Sequence, residues 1–132
     1  MGTHPTLARQ SCCLAVMLDL STARLARLGL HRGAAHDLDI SLLSKPEIDP
    51  GCGIITCRGQ LRKHLPAQGN GMWQVGEVLN FIGVPMHHRE IYDQALNNGL
   101  AVLVLQGDSK ALRHGCRELE DISLGKPVLY LV

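Results

Sequence analysis

Leu14-Ala15-Val16-Met17-Leu18 is written again, nearly, as Leu100-Ala101-Val102-Leu103-Val104. Each apolar run leads into a polar turn with a helix-capping residue, Ser21 in one copy and Asp108 or Ser109 in the other. Each turn continues as a helical pattern and ends in a second apolar run. Two strand–helix–strand units in one short chain predict an α+β fold. The expected form is a ferredoxin-like sandwich: two split βαβ units, a four-stranded antiparallel sheet, two helices on one face.

The elements follow from periodicity. Ser11 to Leu18 reads as a strand, with Leu14, Val16 and Leu18 on one face and Ala15 and Met17 on the other. A helix is expected from about Thr22 to Arg32, with Ala23, Ala26 and Leu30 plus Leu25 and Leu28 as its stripe and Gly33 as its stop. Leu38, Ile40 and Leu42 alternate with Asp37, Asp39 and Ser41, a half-buried strand. Residues 45–82 form an irregular insertion punctuated by Pro46, Pro50, Gly59, Pro66 and Gly69. Within it Gly53 to Arg58 suits a short strand, Gln60 to Leu65 a helical turn, and Trp73 to Ile82 a helix. Gly83 and Pro85 break that helix. The next runs from about Met86 to Asn97, with Ile91, Ala95 and Leu96 inward. Leu100 to Leu105 is a strand, Ser109 to Asp121 a helix burying Leu112, Cys116 and Leu119, and Pro127 to Val132 the last strand.

Composition bounds the function. The chain has 132 residues, enough for one domain with a core, read here as residues 11–132 behind a disordered tail at 1–10. A formal net charge of +1 and no long basic cluster argue against a nucleic-acid partner. The four aromatics Trp73, Phe81, Tyr92 and Tyr130 are too few for base stacking. No apolar stretch approaches the ~20 residues of a membrane span, and residues 1–10 lack the core of a signal peptide, so a cytoplasmic protein is expected. Five cysteines, an odd number, are expected as reduced thiols.

Ala15-Val16-Met17-Leu18-Asp19 with Asp39-Ile40-Ser41, and then Gly83-Val84-Pro85, Glu90-Ile91-Tyr92 and Asn98-Gly99-Leu100-Ala101-Val102-Leu103-Val104, resemble the small bacterial general-stress or heat-induced stress protein domain. The resemblance covers about residues 11–44 and 83–132. It lacks that family's glycine-rich central hairpin. It implies a fold and a stress-response setting, and no catalytic residues.

Two clusters suggest chemistry. His87-His88-x-Glu90, with Asp93 one turn on, places imidazole and carboxylate on one helix face, a set that can hold zinc or iron. The competing reading, a solvated helix start, is the stronger. Cys52-x4-Cys57 with His64 is a second metal or redox candidate; the alternative is a pair of small buried residues. No cofactor is required by any motif. The leading functional reading is therefore a non-enzymatic association or small-ligand-binding domain, a homodimer through the open face of the sheet or a module for a small molecule or protein partner. A metal or redox module on Cys52, Cys57 and the His87-His88 pair is the second. A small dimeric ferredoxin-like enzyme using His36, His87 or His88 as acid–base group is the third.

Overall fold

The computed structural model describes residues 11–33, 37–46, 54–66 and 71–131. The expected tail at 1–10, His36 and Cys52 lie outside these residues. The described elements run β1 (Cys12–Met17), α1 (Leu20–Arg32), β2 (Asp39–Ser44), β3 (Ile54–Gly59), a 3-10 turn (Gln60–Lys63), β4 (Trp73–Gln74), α2 (Val75–Ile82), α3 (Met86–Asn97), β5 (Ala101–Gln106), α4 (Ser109–Leu119) and β6 (Val128–Tyr130).

The strands make one open antiparallel sheet in the order β4-β3-β2-β5-β1-β6. The two repeated apolar runs are neighbours: Leu14 faces Val104 and Val16 faces Val102. β5 lies between β1 and β2, and β1 lies between β5 and β6, so both strand–helix–strand units are split by a strand of the other. The sheet has six strands, not the four expected. The two extra ones come from the insertion: Ile55 and Cys57 are buried while Ile54, Thr56 and Arg58 are not, a strand alternation that pairs β3 with β2. The 3-10 turn falls where a helical turn was expected.

Each face of the sheet has its own core. Cys13, Ala15 and Met17 of β1 and Leu103 and Leu105 of β5 pack with α1 and α4. The small residues Ala23 and Ala26 let α1 approach the strands, with Leu30 below them, and α4 contributes Leu112, Cys116 and Leu119. The opposite faces of the same strands, Cys12, Leu14, Val102 and Val104, pack with α2 and α3. This second face was expected to be covered either by the insertion at 45–82 or by a second subunit. Leu61, Trp73, Leu79 and Ile82 of the insertion bury it, with Tyr92 and Leu96 of α3. Trp73 satisfies its indole N–H by donating to the Pro66 carbonyl at 2.7 Å.

Local signals decide the ends. Asp19, not Ser21, caps α1: its carboxylate accepts from the Thr22 N–H at 2.7 Å, so the helix begins two residues earlier than expected. Asp108 caps α4 in the same way, accepting from the Ala111 N–H at 2.9 Å. Gly33 caps α1 with extended backbone rather than a left-handed turn. The helix expected from Trp73 starts at Val75, because Trp73 and Gln74 are taken up as β4 against β3. Gly83 ends α2 at φ +89°, and Val84 N–H reaches back to the Leu79 carbonyl at 3.0 Å. The buried side of α3 is Tyr92, Ala95 and Leu96. Ile91, expected inward, is 59% exposed because it sits one helical step away from Tyr92. Leu25 and Leu28 of α1 are likewise exposed.

Candidate functional site

The histidine cluster on α3 is split by the helix. The rings of His87 and His88 meet edge to face at 4.4 Å, but only His88 turns inward. Glu90 is exposed and accepts from the Gln94 side-chain amide at 3.2 Å, and Asp93 accepts from that of Asn97 at 3.5 Å. Cys57 is buried in the core under β3, its thiol pushed up to about 12 by desolvation, with Arg62 nearby acting weakly the other way. His64 is exposed at the end of the 3-10 turn. Among the described residues no three His, Cys, Asp or Glu side chains converge as a metal site. Cys12, Cys13, Cys57 and Cys116 are free and buried.

What His88 does meet is Tyr130. Its Nδ1 lies 3.0 Å from the Tyr130 hydroxyl, which lies 2.7 Å from the hydroxyl of Tyr92. Tyr92 stands one helical turn after His88, so both project from α3 toward edge strand β6. Burial raises the pKa of both phenols; for Tyr130 the hydrogen bond from Tyr92 partly opposes it. The chain satisfies every group when Tyr92 donates to Tyr130 and Tyr130 donates to Nδ1, with the imidazole proton on Nε2. It is a polar latch between helix and strand.

One feature that faces solvent with chemistry to offer is a groove beside β3, on the α1 side of the sheet. Two adjoining depressions form it. One, about 430 Å³, is lined by Arg24, Arg27, Leu28, Leu42, Arg58 and Gly59. The other, about 470 Å³, has Asp39, Gln60 and Lys63 with Leu38 and Ile40, and shares Arg27 and Gly59 with the first. The lining has a local cause at each residue. Arg24 and Arg27 are three apart on α1 and so share a face. Arg58 pairs across the ladder with Leu42, whose side chain points to the same side. Gly59 has φ +118°, and a Cβ there would sit 2.5 Å from the Ile40 carbonyl oxygen. Only glycine lets the chain turn so tightly from β3 into the 3-10 turn. The turn is held by Leu61 N–H donating to the buried Ser41 hydroxyl at 2.9 Å, and it presents Gln60 and Lys63 to the groove.

Sequence reasoning missed this groove. Its cations are at positions 24, 27, 58 and 63, never a run, and only the i, i+3 spacing of Arg24 and Arg27 was there to be seen. A third concavity, about 380 Å³, is an apolar cleft between α1 and α4 lined by Leu25, Gly29, Leu119 and Ile122 among others. Among the described residues no helix is long and apolar enough to cross a membrane. Comparison of the chain with family models, with curated proteins and with solved structures finds no match in any of the three.

Proposed function

We propose that this protein is a non-enzymatic domain that binds a small molecule in the groove beside β3. The observation that carries the reading is the convergence of Arg24, Arg27 and Arg58 on one concave surface where, among the described residues, no carboxylate lines the wall. Concave sites with a few convergent polar groups are the usual form of a small-ligand site. The scaffold is read as a ferredoxin-like sandwich, β2-β5-β1-β6 with α1 and α4, enlarged at one edge by β3 and β4; the interleaving of the two split units supports it. The stress-associated setting rests on the resemblance of residues 11–44 and 83–132. Backbone amide NMR spectra recorded against a library of anionic, neutral and cationic small molecules test the ligand site. The amides of Leu42, Arg58 and Gly59 are expected to shift while that of Tyr130 does not. A library in which no class shifts them overturns the reading.

Self-association is the second reading. It is supported by Leu25, 71% exposed, and Ile122, 45% exposed, on the rim of the apolar cleft between α1 and α4. This is not the sheet face first expected to hold a homodimer, which α2 and α3 occupy. Sedimentation of the native chain and of Leu25→Asp is the test. A dimer lost in the variant supports it, and a native monomer at micromolar concentration removes it.

A further inference from the structure

We infer that the ligand of the groove is a phosphate ester of a small hydroxylated molecule, an inference that rests on the ligand-binding reading above. The two depressions differ in chemistry. The first has three guanidiniums, those of Arg24, Arg27 and Arg58, and, among the described residues, no carboxylate; Asp39 adjoins it only in the second. A guanidinium is a planar fork of donors, matched to the paired oxygens of a phosphate, and a dianion satisfies several of them at once.

The second depression asks for something else. Asp39 offers a carboxylate, Gln60 both a donor and an acceptor, and Lys63 a cation, above the apolar Leu38 and Ile40. A carboxylate in the wall repels a second phosphate but accepts hydrogen bonds from hydroxyl groups. Together the spaces of about 430 and 470 Å³ exceed what a bare phosphate fills. A ligand spanning both is anionic at one end and neutral, hydroxyl-rich at the other. Arg27 and Gly59, common to both depressions, mark where the two ends join.

Calorimetric titration of the full chain at low salt with ribose 5-phosphate, ribose and inorganic phosphate tests this. Ribose 5-phosphate is expected to bind at least about tenfold more tightly than inorganic phosphate, and ribose not measurably. Arg58→Gln, at an exposed position, weakens both anions about tenfold or more, while Lys110→Gln on α4 changes neither. Asp39→Asn brings ribose 5-phosphate toward inorganic phosphate and does not weaken the latter. Equal binding of the two anions, or an Arg58→Gln variant that binds as well as the native chain, overturns the inference. If a neutral or cationic library member shifts the Gly59 amide while no phosphate ester binds, the inference fails and the ligand-binding reading stands. If no member of any class shifts it, both fail.

Discussion

The hydroxyls of Tyr92 and Tyr130 lie 2.7 Å apart, joining the buried side of α3 to the edge strand β6 across 38 residues of sequence. Tyr92 is only 2% exposed, so its hydroxyl has exchanged water for this one partner. Tyr130→Phe removes the partner and leaves the Tyr92 donor buried and unsatisfied. The expected loss is about 1–3 kcal/mol in urea unfolding. Adding Tyr92→Phe to that variant costs less than Tyr92→Phe costs alone, because the stranded donor goes with it. An additive double variant contradicts the latch.

Buried thiols set an alkaline limit. Desolvation lifts Cys12 and Cys57 from an ordinary value of 9.0 to about 12. Burial shifts Cys13, Tyr92 and Tyr130 upward as well. The folded state therefore keeps protons that the unfolded state releases. Stability from Cys12 and Cys57 is full below pH 9 and is lost as the pH rises from 9 toward 12, at roughly 1 kcal/mol per thiol by pH 10. Urea midpoints measured between pH 7 and 11 are expected to fall above pH 9, and to fall less steeply in Cys57→Ala. In the native state at pH 8 these thiols are expected to resist a thiol-titrating disulfide reagent and to react on unfolding.

Two glycines separate conformation from space. At Gly59 a Cβ meets the Ile40 carbonyl oxygen at 2.5 Å and the Ser41 Cα at 2.8 Å, with φ at +118°. Gly59→Ala is expected to cost about 2 kcal/mol or more and to loosen the turn that presents Gln60 and Lys63. Gly29, inside α1, has nothing within 4 Å of its would-be Cβ. Gly29→Ala is expected to stabilise by about 0.5–1 kcal/mol. Thermal unfolding of the two variants, with opposite signs of shift, checks both.

The helix cap at Asp108 gives a local test. Its carboxylate satisfies the Ala111 N–H at the start of α4, the helix that supplies Leu112, Cys116 and Leu119 to the core. Asp108→Ala is expected to lose about 1 kcal/mol, and Asp108→Ser to keep most of it. Equal losses in the two variants would show that the side-chain oxygen is not what matters there.

The strand–helix–strand units were legible because they are local. The apolar runs at 14–18 and 100–104 carry their period on their face, and the helix over Met86–Asn97 is bounded by Pro85 and Gly99. What failed was also local in kind. Ile91 and Leu25 are apolar residues that a stripe would claim, yet each lies a step outside the buried arc of its helix. Composition cannot say how wide that arc is, because its width depends on what packs against it. His87 and Glu90, three apart, share the solvent-facing side of α3 as their spacing predicts; what the spacing does not show is that His88, one residue on, turns to Tyr130.

The sequence by itself determined the helices and the strands other than β4, since period and capping residues act over a few positions. Only the tertiary structure decided what the second faces of the repeated Leu-Ala-Val strands bury against: α2, α3 and Trp73, folded back over the sheet. It alone brought Arg58 to Arg24 and Arg27 as well. The antiparallel pairing of β3 with β2 carries a cation across 31 positions of sequence to the flank of α1. Charge scattered along a chain sums to nothing visible. The same charge gathered on one concave surface by strand register becomes a site.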